Sequence, residues 1–71
     1  MTRVSIRNEI RRLRFEHGEM TQQALADKIH VTRQTVNAIE QGKYYPSLEA
    51  AFKIAAVFEL PLEKVFHYSQ D

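Results

Sequence analysis

The chain contains no cysteine and no tryptophan, and only two glycines and two prolines among its 71 residues. Each scarcity removes a class of answer. Without cysteine there are neither disulfides nor thiolate metal ligands. So little glycine and proline, beside 44% hydrophobic residues, argues against a disordered segment and against a turn-rich all-β domain. No apolar run approaches the ~20 residues that span a bilayer. The leading Met1-Thr2-Arg3-Val4-Ser5-Ile6-Arg7 is too interrupted by charge for a secretory signal, so the expected compartment is the cytoplasm. A domain this small buries only about 60% of its unfolded surface. Its core must therefore come from closely packed regular elements, or from a second copy of the chain.

Net charge is +1, but it is unevenly placed. Residues 1–43 carry Arg3, Arg7, Arg11, Arg12, Arg14, Lys28, Arg33 and Lys43 against Glu9, Glu16, Glu19, Asp27 and Glu40, a balance of +3. Residues 44–71 carry Lys53 and Lys64 against Glu49, Glu59, Glu63 and Asp71, a balance of −2. Such a split suits a chain with one anion-facing end, although small domains often show as much by chance.

The hydrophobic spacing predicts an all-α chain of five short helices. Ser5 is placed to cap a first helix with Ile6, Ile10 and Leu13 on one face, ended by His17-Gly18. Thr21 caps a second helix carrying Ala24, Leu25 and Ile29, and Thr32 a third with Val36 and Ile39 inward, ended by Gly42. Ser47 caps a fourth, with Leu48, Ala51, Phe52, Ala55 and Phe58 toward the core. Pro61 suits the first position of a fifth, which carries Leu62, Val65 and Phe66. No stretch reads as a two-residue alternation, so no strand is expected. One domain, residues 1–67, is followed by a tail, 68–71, expected to fray.

Residues 21–47, TQQALADKIHVTRQTVNAIEQGKYYPS, carry the functional signal. Two short helices joined by a tight turn cross closely only if the crossing residue is small, and Ala26 is. Val31 plugs the turn, while Val36 and Ile39 anchor the second helix against the first. This is the pattern of a helix-turn-helix, whose second helix protrudes far enough to enter a DNA major groove.

Gln22-x-x-Leu25-Ala26, Val31-Thr32-Arg33-Gln34-Thr35-Val36, Ala38-Ile39-Glu40-x-Gly42-Lys43 and Pro46-Ser47-Leu48 resemble the phage lambda repressor and Cro family. That family is also known as the xenobiotic-response-element type of bacterial regulators. The likeness runs over essentially the whole chain, from Ile10, Leu13 and Arg14 to Leu62-Glu63-Lys64-Val65-Phe66. Two departures stand out. His30 occupies a turn position that is usually glycine in the family, because φ is positive there. The Gly18-Glu19-Met20 loop is one residue longer than in many members.

The resemblance implies a lambda-repressor-like domain, with helices two and three forming the motif. It also implies a bacterial or phage-encoded transcriptional regulator, more often a repressor, that binds double-stranded DNA as a homodimer through its C-terminal helix or tail. The recognition helix would span about Thr32 to Gln41. Arg33, Gln34 and Asn37 fall on its outer face, where arginine suits guanine and the amides suit adenine. Ala38 is a further candidate, against a thymine methyl. The expected phosphate contacts are Gln22, Thr32, Thr35, Lys43, Tyr44 and Tyr45, although Tyr45 has the alternative of packing on Pro46. By the resemblance, Gln22 also steadies Gln34, and Arg14 bridges to Glu40 in a partly buried salt bridge.

Arg7, Arg11 and Arg12 read as a solubilising face, with Arg3 on an arm that reaches a phosphate. Phe15, Phe52, Phe58 and Phe66 read as core, with Phe58, Phe66 or Tyr68 spilling into a dimer contact. His17, His30 and His67 lack metal-ligand spacing. There is no phosphate-binding glycine loop and no nucleophile elbow. The expectation is a non-enzyme with no metal, cofactor or small-molecule ligand. Two alternatives stay open: the antitoxin of a toxin pair, and a protein-interaction adaptor that no longer reads DNA.

Overall fold

A computed structural model describes residues 4–70. The elements in chain order are β1 (Val4–Asn8), α1 (Ile10–Glu16), α2 (Gln22–Ile29), α3 (Arg33–Glu40), α4 (Leu48–Val57), α5 (Leu62–Val65) and β2 (Phe66–Gln70). Arg3 and Asp71 lie outside the described residues, so the arm contact expected of Arg3 falls there too.

Three helices begin where short-range chemistry places them. Thr21, Thr32 and Ser47 each hold extended backbone, and each hydroxyl oxygen accepts the N–H three residues on, from Ala24, Thr35 and Ala50 at 3.0–3.1 Å. These bonds satisfy amide donors that a helix start otherwise leaves unpaired. Pro61 stands one residue earlier than expected, as the extended cap of α5 rather than its first helical residue.

The core gathers one stripe from each helix. Ile10 and Leu13 of α1, Leu25, Ala26 and Ile29 of α2, and Val36 and Ile39 of α3 pack with Ile54, Ala55, Phe58 and Val65. Ala26 is completely buried, and its carbonyl accepts the N–H groups of both His30 and Val31. His30 takes the left-handed conformation at φ 62° that turns the chain from α2 into α3, the position where glycine was the family expectation. Val31 packs half-buried against the core beneath that turn.

Four expectations need correcting. The chain is not all-α, because β1 and β2 form an antiparallel ribbon pairing Ser5 with Ser69, Ile6 with Tyr68, Arg7 with His67 and Asn8 with Phe66. The two-residue alternation was in fact present in Val4-Ser5-Ile6-Arg7 and in Phe66-His67-Tyr68-Ser69; each run is too short to stand out until its partner is known. Ser5 therefore caps nothing. The first helix starts later, where Asn8 Oδ1 accepts the Ile10 N–H at 3.2 Å and the Glu9 N–H donates to the Val65 carbonyl at 2.9 Å. Tyr68, Ser69 and Gln70, assigned to a fraying tail, belong to β2.

The fourth correction concerns the aromatics. Helix α4 is apolar nearly all round, so periodicity alone selects no face. Its close-packed side is Ala51, Ile54, Ala55 and Phe58, which leaves Leu48 and Phe52 outward, 67% and 55% exposed. The small alanines let α4 approach its neighbours where phenylalanine would hold it off. Phe15 also points out, opposite Leu13 on α1, whereas Phe58 is too deeply buried to serve a dimer contact.

Leu25→Ala should lower the free energy of urea unfolding by about 2–5 kcal/mol, the range for truncating a buried leucine. Phe15→Gln should change it by about 1 kcal/mol at most, as outward positions do. Equal losses at the two sites would show that α1 packs the other way round.

Candidate nucleic-acid interface

Helix α3 is held by its inner residues and leaves its outer ones free. Val36 and Ile39 are buried against α2, which turns Arg33 and Gln34 outward to full exposure with no hydrogen-bond partner among the described residues. Asn37 follows one turn later, half-buried. Ala38 is also half-buried, and its carbonyl accepts the Lys43 N–H at 2.9 Å as the helix closes. Gly42, at φ 73°, then releases the chain into a loop where Lys43, Tyr44 and Tyr45 are all exposed. Tyr45 also lines an apolar groove with Pro46, Leu48, Ile6 and Phe66, so its ring has packing partners as well as solvent.

At the other end of α3, the Thr32 and Thr35 hydroxyls lie 2.9 Å apart. Thr32 is exposed and spends one acceptor on its cap. Both hydroxyls remain at the rim of the outer face, together with the free N–H groups of the first turn. Helix α2 opens onto the same side, its own amino-terminus marked by Gln22.

One carboxylate stands near this surface, and the structure neutralises it. Arg14 Nε donates to Glu40 Oε2 at 2.6 Å and Nη2 donates to Oε1 at 3.0 Å, a two-pronged pair with side chains only 12% and 8% exposed. The remaining Arg14 nitrogen, Nη1, donates to the Met20 carbonyl at 2.8 Å, so the guanidinium clamps α1, the α1–α2 loop and α3 together. Gln22 Nε2 completes the cluster by donating to Glu40 Oε1 at 3.2 Å and to Asn37 Oδ1 at 3.1 Å.

Gln22 therefore steadies Asn37 and Glu40 rather than Gln34. Gln34 lies a turn nearer the start of α3, whereas the Gln22 amide is drawn to two acceptors on its own side. The consequence reaches the outer face. Asn37 Oδ1 accepts from both Gln22 and Gln41, the latter at 3.4 Å, while Nδ2 has no partner among the described residues. Asn37 thus presents a donor outward, not the donor–acceptor pair that adenine requires.

Matched against known proteins, residues 10–65 fit the family model described as helix-turn-helix. The chain belongs to the helix-turn-helix family of lambda repressor and Cro. It is 47% identical over 66 residues to a protein of Methanocaldococcus jannaschii, covering 93% of this chain and 98% of that one. It is 44% identical over 66 residues to a protein of Archaeoglobus fulgidus, covering 93% of each. It is also 41% identical to YgzD of Bacillus subtilis over 66 residues, 93% of this chain and 98% of that one. All three are named as uncharacterised HTH-type transcriptional regulators.

Among the described residues, no group of three or more His, Asp or Glu is placed to hold a metal ion, and no helix is long and apolar enough to cross a membrane.

Sequence reasoning overlooked one residue that this helix-turn-helix uses. Asn8 Nδ2 donates to the Ile39 carbonyl at 2.9 Å, across 31 residues, while its Oδ1 starts α1. A single amide therefore ties the β-ribbon to the end of α3. Nothing in the spacing announced it, because its role depends on a strand that was not expected.

Arg14→Ala should lower stability by about 3–5 kcal/mol, because it strands a buried carboxylate. Arg12→Ala, which breaks only exposed pairs, should cost less than about 1 kcal/mol in the same thermal melts. Asn8→Asp keeps the acceptor but exchanges the donor for a charge at the negative end of α3. It should cost about 1–3 kcal/mol, and parity with the parent protein would mean the Asn8–Ile39 bond contributes nothing.

Proposed function

We propose that this protein is a DNA-binding transcriptional regulator that inserts α3 into the major groove. The observation that carries this is the outer face of α3. Arg33, Gln34 and the Asn37 Nδ2 group point away from the core as unengaged donors, and the nearby carboxylate, Glu40, is cancelled by Arg14. A surface of free donors without uncompensated negative charge suits the acceptor-rich edge of guanine and the phosphates beside it. Family membership and relatives named as HTH-type transcriptional regulators support the same function.

In this reading Arg33, Gln34 and Asn37 contact base edges and Ala38 a thymine methyl. Gln22, Thr32, Thr35, Lys43, Tyr44 and Tyr45 grip the backbone on either side. The role is regulatory rather than enzymatic, it is exercised in the cytoplasm where the DNA is, and repression is its simplest form, by occupying a promoter. An adaptor without DNA binding would call for an apolar patch on the outer face of α3, and that face is polar.

The exposed apolar residues lie elsewhere, at Tyr45, Leu48, Phe52 and Tyr68. They accompany a two-stranded ribbon whose outer edges pair with nothing in the chain. Both features support a homodimer through the carboxy-terminal strand and its surroundings. Two copies would set two recognition helices about 34–36 Å apart, on a near-palindromic site.

Selection from a random duplex library tests this directly. A two-fold symmetric site should be enriched and bound at least ~10³-fold more tightly than scrambled DNA at physiological salt. Arg33→Ala should cost about 1–3 kcal/mol on that site and relax the preference at one base pair of each half-site. Absence of any enriched site would remove the regulator reading.

A further inference from the structure

Helix α1 carries Arg11, Arg12 and Arg14, and the fold consumes two of them. Arg12 is held by Glu9 at 3.1 Å and by Glu16 at 2.8 Å. Arg14 is spent on Glu40. Arg11 is exposed and has no acidic group within ion-pair distance among the described residues.

Its position is not arbitrary. Arg11 lines a polar concavity of about 300 Å³ with Arg14, Gln22, Asn37, Glu40 and Gln41, at the seam where α1 meets the start of α2 and the second half of α3. Arg14 and Glu40 cancel there, so the uncompensated charge of the concavity belongs to Arg11. The other walls are side-chain amides, and the Asn37 Nδ2 donor is unengaged among the described residues. One free cation and a free amide donor above a neutral ion pair make a surface for a single anion.

We propose that Arg11 is a DNA-contacting residue, binding a backbone phosphate that crosses this concavity when α3 occupies the major groove. The inference rests on the DNA-binding reading and adds a contact from outside the helix-turn-helix. A phosphate suits the site better than a base edge. Arg11 stands on α1, behind α3, on the path of the strand that borders the groove, and a guanidinium fork matches phosphate oxygens two at a time. Helical periodicity had grouped Arg11 with Arg7 and Arg12 as one solubilising face. The fold separates them: Arg7 goes to β1, Arg12 to its ion pairs, and Arg11 to the flank of the recognition helix.

The test uses the full chain and the site selected as above, with affinity measured across a salt series for wild type, Arg11→Gln, Arg11→Lys and Arg12→Gln. Loss of one phosphate contact should weaken Arg11→Gln about five-fold near 0.15 M salt and flatten the log–log salt slope by about 1. The loss should be similar on scrambled DNA, since phosphates carry no sequence. Arg11→Lys should keep the slope. Arg12→Gln removes the same charge from the opposite side and should also keep it.

An Arg11→Gln protein that binds like wild type overturns the proposal. So does an equal loss in Arg11→Gln and Arg12→Gln, which would mark a general charge effect. The wild-type protein gives a second measurement that needs no variant to fold. The Arg11 Nε–H resonance should move when either DNA is added, and a resonance that stays in place overturns the contact. If wild type itself selects no site, the DNA-binding reading falls, and this inference with it.

Discussion

The Arg14 guanidinium sits where three separate pieces of chain must agree. It donates to Glu40 at the end of α3, to the Met20 carbonyl in the loop before α2, and through Glu40 it is linked to Gln22 at the start of α2. A buried ion pair of this kind adds little net stability compared with well-packed hydrophobic side chains. Its value is geometric. A flat fork of fixed donors permits few arrangements of the carboxylate, and the carboxylate belongs to the helix whose orientation decides whether Arg33 and Gln34 face a ligand. The pair also keeps Glu40 from repelling phosphate at the edge of the same surface.

Around that pair, the molecule divides its charge by location rather than by amount. Net charge is +1, yet the acids near α1 and α3 are engaged by cations of their own: Glu9 and Glu16 by Arg12, Glu40 by Arg14. The Arg12 hydrogen bond, more than the nearby His67, also holds the Glu9 carboxyl below the usual carboxylate range. What remains unengaged beside α3 is cationic or amide. A weakly charged small domain can thus offer a locally positive face, which the overall balance conceals.

The helix-turn-helix was legible because its determinants are local. A hydroxyl and the N–H three residues on are sufficient for a cap, so Thr21, Thr32 and Ser47 mark their helices whatever lies beyond. Ala26, Val31, Val36 and Ile39 fall within a short stretch and meet only one another's neighbours. The ribbon was illegible for the converse reason. Ile6 is paired with Tyr68 and Asn8 with Phe66, and neither run suggests a strand until the other is brought alongside. Leu48 and Phe52 misled in another way. On a helix apolar nearly all round, the buried stripe is chosen by the surface it meets, and here the small Ala51 and Ala55 win because they allow the closest approach.

The sequence by itself determined the capped helices, the small crossing residue, the turn and the outward row Arg33, Gln34 and Asn37, because each follows from chemistry within a few residues of chain. Tertiary structure alone decided which amide atoms of that row remain free, through Gln22 and Gln41 on Asn37. It alone closed the two ends of the chain into a ribbon and tied that ribbon to α3 through Asn8. It alone left Arg11, out of three arginines on one short helix, without an acid beside it. These outcomes depend on groups brought together from distant parts of the chain, where hydrogen-bond partners and counter-charges are allotted by distance in space and not by order in sequence.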